Sequence, residues 1–265
     1  FIVMTKGVPI RIHDKWGLSV DSMLAAHPLG RKPPLAGTNP PDLEERNTMV
    51  NPYFNARKPF TRKEYGYYLV TRLDGYLLND AKKLVDNSLA AKRAIGLFFF
   101  DRAGNRNNGG YEMFNIFLSD TTKLLKDKKM LARVDETPEF IAPAEPLMGY
   151  VSWGSNDNAY NLETYKSLRF RPGALAETFV SFGGRSFTPQ TSGQSMIADL
   201  ISRGVTGVKG YVSEPWLFAM AVPPILFDRY TEGYNLAESY YCASPVIGWK
   251  DIIIGDPLCR PFAKK

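Results

Sequence analysis

Two apolar segments in the second half of the chain end in motifs that combine serine with glycine. One runs into Trp153-Gly154-Ser155 and the other into Ser181-Phe182-Gly183-Gly184. A serine or cysteine becomes an effective nucleophile only beside a base, most often a histidine. Neither motif contains a histidine, and the two in the chain, His13 and His27, lie near its beginning. We therefore expect Ser181 to be a hydrogen-bonded hydroxyl at a strand end rather than a nucleophile.

Acidic residues also follow several strand-like segments, and carboxylates are the ligands that calcium and magnesium prefer. The segment 101–109 superficially resembles a calcium-binding loop, but Arg102 and Arg106 stand among the would-be ligands. The distal glutamate of such loops is also missing from the expected position, so a polar turn is the better interpretation. We predict no metal site and no cofactor. The acidic residues concerned are Asp74, Asp101, Asp157 and Glu214.

Other residues at the same predicted strand ends could bind a ligand. Gly183-Gly184 with Arg185 could cradle an anion or only form a tight turn. Arg72 and Asp74 could be a structural ion pair or part of a cleft, and both readings stay open. Nearby aromatic residues could grip a ligand, although a plugged pocket is favoured. The candidate binding cleft comprises Arg72, Asp74, Trp153, Ser155, Asp157, Ser181, Phe182, Arg185 and Glu214.

The two cysteines, Cys242 and Cys259, are far apart in sequence and have no histidine near them. This spacing does not indicate a zinc site. They could form one disulfide, or each could be a small buried thiol. Either role is structural.

The elements that position these residues follow from alternating patterns. Apolar segments near residues 67–75, 95–100, 147–154, 174–181 and 207–212 predict strands, and helical spacing predicts helices over 78–93, 111–129, 194–203 and 216–230. Strands that are apolar throughout and alternate with helices indicate an α/β fold with a mostly parallel sheet and helices on both faces. Ligands of such sheets bind at the carboxyl ends of the strands.

Composition sets limits on function. The chain has 265 residues, 44% of them hydrophobic, which suits one large domain. Its net charge of +6 comes from scattered basic residues, so we expect no nucleic-acid partner. No apolar run is long enough to span a membrane, which predicts a soluble domain. Residues 14–62, rich in proline, glycine and asparagine, predict a long irregular excursion.

The motifs of about the last 120 residues resemble gingipain-type, caspase-like cysteine peptidases. The similar pieces are the two serine–glycine motifs, the segment from Arg203 to Gly210 that runs to Glu214-Pro215, and the closing segment from Ile252 to Leu258. Nearly the whole chain is also similar to an uncharacterised bacterial family associated with exosortase-type protein sorting. Segments that carry this second resemblance include Lys6-Gly7-Val8-Pro9, Asn51-Pro52-Tyr53, 71–75 and 152–157.

The resemblance implies a caspase-like domain without the catalytic residues of the peptidases. Those enzymes carry histidine at the end of one strand and cysteine at the end of the next, where this chain has Trp153 and either Ser181 or Phe182. We therefore expect a non-catalytic domain of a secreted, periplasmic or cell-surface protein that binds a protein, peptide or glycan. It could be a subunit of an assembly, and the resemblance implies further chain before Phe1. The alternative is a hydrolase that uses Asp157, Glu214 or Ser181.

Overall fold

The computed structural model describes residues 1–13, 16–30, 41–92 and 96–263. Within them, all strands belong to one eight-stranded sheet with the order β1-β2-β8-β7-β6-β5-β3-β4. The strands are β1 (Ile2–Thr5), β2 (Val70–Leu73), β3 (Leu97–Asp101), β4 (Ala132–Asp135), β5 (Leu147–Ser152), β6 (Phe170–Thr178), β7 (Gly207–Tyr211) and β8 (Asp251–Ile254).

Strand direction divides this sheet into two sets. Every neighbouring pair is parallel except β7 with β8, whose antiparallel register pairs Val208 with Ile254 and Tyr211 with Asp251. The strands β3 to β7 therefore run one way, and β1, β2 and β8 run the other way. The predicted mostly parallel α/β sheet is confirmed, and the arrangement is consistent with a caspase-like fold.

Helices cover both faces, as the sequence predicts. The helices are α1 (Val20–Ala26), α2 (Leu43–Thr48), α3 (Arg62–Tyr65), α4 (Leu78–Ala90), α5 (Gly109–Asp127), α6 (Leu162–Ser167), α7 (Ile197–Ser202), α8 (Pro223–Thr231) and α9 (Leu236–Ala243). Alternation along β3 shows how the two faces are separated. Phe98 and Phe100 join a core cluster with α1, α5, α8 and α9, whereas Leu97 and Phe99 join a cluster with α4, α6 and α7.

The structure differs from the sequence-based expectations at the helix predicted over 216–230 and in the excursion predicted over 14–62. The helix predicted from residue 216 begins at Pro223, because proline suits the first turn of a helix and not its interior. The excursion over 14–62 is not irregular throughout, since its described part contains α1, α2 and the first residue of α3 (Arg62). Ser19 caps α1, and Asp42 with Glu45 forms a capping box at α2. No helix among the described residues is long and apolar enough to cross a membrane.

A buried ion pair fixes β2 and α1 together. Both Nε and Nη2 of Arg72 donate to the carboxylate of Asp21, at 2.9 and 2.6 Å, and its remaining donors reach the carbonyl oxygens of Val8 and Pro9. Arg72 is fully buried and Asp21 nearly so. This bidentate pair links the opening segment to the sheet.

Asp74 lies at the end of β2, where Lys6 binds its carboxylate at 3.1 Å. Because β2 runs opposite to β5, β6 and β7, this end is at the opposite edge of the sheet from Trp153, Ser181 and Glu214. The expectation that Arg72 and Asp74 share a cleft with those residues is therefore corrected. The other reading, a structural ion-pair group, describes them.

Replacing Arg72 with methionine is expected to destabilise the fold strongly. The variant leaves the Asp21 carboxylate buried without its partner, a change that costs about 3–5 kcal/mol in the free energy of unfolding. Urea denaturation measures it. Arg102→Met is the matched control, because the Arg102–Glu136 pair is partly exposed and is worth less than ~1 kcal/mol. Equal losses in the two variants would contradict the role of the buried pair.

Candidate functional site

A cavity of about 430 Å³ opens at the carboxyl edge of β5, β6 and β7. The loops after β3, β5, β6 and β7 contribute to its wall, and α2 contributes from the early part of the chain. Its lining residues are Arg46, Arg106, Tyr111, Trp153, Asn156, Phe179, Ser181, Gln194, Glu214, Trp216, Leu217, Phe218 and Met220. Of the predicted cleft residues, Trp153, Ser181 and Glu214 line it.

Trp153 is fixed in the back of this cavity. Its Nε1 donates to Oδ1 of Asn115 on α5 at 2.7 Å, and only 2% of the residue is exposed. Phe114 and Phe179 contact the indole edge-on, with ring centroids 6.4 and 5.0 Å away. The indole therefore fills part of the region, but the remaining cavity shows that the predicted aromatic plug is incomplete.

The loop after β5 is held by reciprocal polar contacts. The backbone N–H of Ser155 donates to Oγ of Ser195 at 3.1 Å, and that of Ser195 donates to Oγ of Ser155 at 2.9 Å. Asn156 donates through Nδ2 to the carbonyl oxygen of Phe179 at 2.7 Å. These contacts make Ser155 a positioning residue of the loop, which fixes the cavity wall formed by Asn156.

Ser181 and Glu214 lie on the walls of the cavity, contributed by the β6 and β7 ends. Neither His13 nor His27 lines it, so no imidazole is available there to activate Ser181. Oε1 of Glu214 accepts the backbone N–H of Trp216 at 3.0 Å. This bond accompanies a strained backbone at Trp216, whose φ is +64°, a conformation that bulky residues rarely adopt.

Phe182 and Arg185 shape the loop beside the cavity. Arg185 donates to the carbonyl oxygens of Phe182 and Gln194, at 2.9 Å each, so its guanidinium cross-links the loop. The N–H of Gly184 donates to the carbonyl oxygen of Tyr211 at 2.8 Å, and that of Gly183 to Val180. With these amides already bonded, the glycine pair forms a tight turn and not an anion cradle.

Asp101, at the end of β3, is a buried carboxyl group without adequate hydrogen bonding. It is 1% exposed, and neither oxygen has a well-aligned donor among the described residues. Burial, together with the negative charges of nearby Asp135 and Asp157, raises the pKa of Asp101 to about 8. The backbone of Ile141 lowers this pKa in part. Burial also raises the pKa of Asp157. The hydrogen bond from the Ala159 backbone and the positive charge of Arg106 lower this pKa in part.

The acidic residues considered as cation ligands are not gathered at one point. Asp74 lies at the opposite edge, Glu214 lines the cavity, and Asp101 and Asp157 lie near one another. Within the described ranges, no group of three or more histidine, cysteine, aspartate or glutamate side chains has an arrangement that could hold a metal ion. The polar turn predicted for 101–109 includes a short 3₁₀ helix, and Arg106 in it donates to the carbonyl oxygen of Asn156.

The cysteines are separate buried thiols. Cys242, on α9, donates to the carbonyl oxygen of Ala56 at 3.1 Å, whereas Cys259 lies 3.5 Å from the hydroxyl of Tyr230. The disulfide left open by the sequence is therefore not formed, because the two side chains pack against different elements. Burial raises the pKa of Cys242 to about 11, which disfavours the reactive thiolate.

Several lining residues were missed by the sequence analysis. Arg46 belongs to the excursion over 14–62. No local sequence pattern indicates that this segment packs against residues 214–220. Arg106 was noted only as an argument against calcium, and Tyr111 was assigned to an ordinary helix. The proximity of Arg106 to the motif at Trp153 could have been suspected, because parallel β3 and β5 end at the same edge.

The pH dependence of stability is expected to change when Asp101 is replaced with asparagine. Since the folded-state pKa of Asp101 lies above its unfolded value, folding takes up a proton between about pH 4 and 8, and stability falls as pH rises through this window. Asp101→Asn removes this loss, so it gains ~1–3 kcal/mol relative to wild type at pH 8 and little at pH 4.

Urea denaturation at several pH values measures the difference. Asp120→Asn serves as the control, because Asp120 lies exposed on α5. The control is expected to follow the wild-type pH profile. An Asp101→Asn profile as steep as that of wild type would contradict the assignment.

No family model matches the chain, and no curated protein matches it either. Its function must therefore be inferred from the residues that line the cavity and from their chemistry.

Proposed function

We propose that this chain is a non-catalytic caspase-like domain that binds part of a protein, peptide or glycan partner in the cavity at the carboxyl edge of β5, β6 and β7. The observation that carries the proposal is an open cavity of about 430 Å³ whose described lining contains neither histidine nor cysteine. Cavities of this size commonly hold ligands. Arginine, tryptophan and tyrosine, which dominate binding energy at interfaces, are prominent in the lining.

The residue in the catalytic-histidine position supports binding rather than peptidase chemistry. An indole cannot shuttle the proton that nucleophilic attack requires, and Trp153 is locked by its bond to Asn115. Both cysteines are buried, and neither is among the lining residues of the cavity. A thiol-dependent mechanism would require a cysteine to reach the cavity.

The hydrolase alternative keeps one supporting observation. Ser181 and Glu214 both line the cavity, and Trp153 does not fill it. Glu214 would have to act as the base, yet one of its oxygens already accepts the Trp216 N–H. This makes hydrolysis the second candidate.

We further propose that the domain belongs to a secreted, periplasmic or cell-surface protein and works as a subunit of an assembly. The support is the similarity of its motifs to gingipain-type peptidases and to the exosortase-associated bacterial family. Descent from a catalytic ancestor would explain why the strand ends enclose a cavity although the histidine and cysteine of the peptidases are missing there.

Site-specific photo-crosslinking tests whether the cavity receives a partner. A benzophenone amino acid replaces Tyr111, which is 40% exposed on the cavity wall, or Leu89, which is 79% exposed on α4 as the control position. With an envelope fraction of the source cells, we expect defined adducts from position 111 only. Ser181→Trp, which places an indole in the cavity, should reduce those adducts, with a melting curve confirming the fold.

Identical adducts from the two positions would contradict a specific partner at the cavity. The same conclusion would follow if position 111 gave no adduct while the protein remained folded.

A further inference from the structure

Two arginines line the cavity with donors that no group in the described part of the chain accepts. Nε of Arg46 donates to the carbonyl oxygen of Pro41 at 2.7 Å, and its guanidinium carbon lies 4.7 Å from the ring centroid of Phe218. Neither terminal nitrogen of Arg46 has a hydrogen-bond acceptor among the described residues. This cation–π contact restrains the guanidinium, whose two terminal nitrogens remain available to a ligand.

Arg106 is held in a similar way on the wall formed by the β3–α5 loop. Its Nε and Nη2 donate to the carbonyl oxygen of Asn156 at 2.8 and 2.7 Å. Its guanidinium carbon lies 5.1 Å from the ring centroid of Tyr111 and 5.6 Å from that of Trp153. Nη1 remains without an acceptor in the described part of the chain.

Neither guanidinium forms an ion pair with a described carboxylate. Ten such pairs involve other cations, and Asp157 influences Arg106 only at longer range. Glu214 is the acidic side chain in the described lining, and one of its oxygens is engaged by Trp216. With two arginines and one glutamate, the described lining of the cavity has a net positive charge, which favours an anionic ligand.

The surfaces beside the arginines are aromatic. Tyr111, Trp216 and Phe218 line the same cavity, and each is at least partly accessible. Preformed guanidinium donors bind carboxylates through strong, geometrically selective hydrogen bonds. Arginine clusters beside apolar contacts are the usual means of recognising acidic peptide motifs. Arginines beside accessible aromatic rings match an acidic peptide segment, which presents carboxylates and apolar side chains together.

We infer that the cavity binds an acidic peptide segment of a partner protein, with Arg46 and Arg106 receiving carboxylate and Tyr111, Trp216 and Phe218 contacting an adjoining apolar or aromatic side chain. This inference rests on the proposed binding function and names the chemistry of its ligand. It needs no covalent step.

Selection from a random heptapeptide display library against the full chain tests the inference. We expect enriched peptides to carry aspartate or glutamate next to an apolar or aromatic residue. For the best such peptide, replacing the acid with its amide should weaken binding about tenfold or more, as should Arg46→Gln or Arg106→Gln. Arg62→Gln is the matched control. Arg62 also lies over an aromatic ring, that of the half-buried Tyr68, but it does not line the cavity.

The outcomes separate this inference from the proposed function. Peptides that lose binding in Ser181→Trp but carry no acid, or that bind Arg46→Gln and Arg106→Gln normally, would overturn the acidic-peptide inference and leave a binding cavity standing. Arginine-dependent binding of an oligogalacturonate, with no peptide enriched, would also overturn it, in favour of an acidic glycan. A library without any binder that depends on the cavity, together with no binding of the oligogalacturonate, would count against both. Because Arg106 also supports the Asn156 loop, the Arg46 variant decides if Arg106→Gln is misfolded.

Discussion

The antiparallel pairing of β7 with β8 divides the sheet into two sets of strands, and this division decides which side chains can meet. Five parallel strands bring the loops after β3, β5, β6 and β7 to one edge, where they enclose the cavity. The reversed β2 carries Asp74 to the other edge. There, Arg72 and Asp21 join the opening segment to the sheet through a buried bidentate ion pair.

Much of the fold follows from local patterns in the sequence. The apolar run of β3 is buried on both faces, as expected of an interior parallel strand, and the helix predicted over 111–129 forms as α5. The direction of β2 could not be predicted in this way, because a short apolar strand has the same pattern in either direction. Local sequence patterns could not predict that Arg46 lines the cavity either, since its position beside Phe218 depends on packing between distant segments.

The candidate site combines a cavity with a buried indole in its wall. The indole of Trp153, which cannot transfer a proton, packs on Phe179 and donates a hydrogen bond to Asn115. The same aromatic packing orients Arg106, whose guanidinium lies over the indole and over Tyr111. Trp153 therefore helps to position a cation at the cavity wall, where we propose that it meets a ligand.

The most direct test of a binding site without catalysis is hydrolysis of a broad fluorogenic peptide library by the purified chain between pH 5 and 8. We expect no cleavage above the buffer blank, with or without thiol alkylation. Cleavage that is lost in Ser181→Ala or in Glu214→Gln would contradict it, because both side chains line the cavity and the second is the available base.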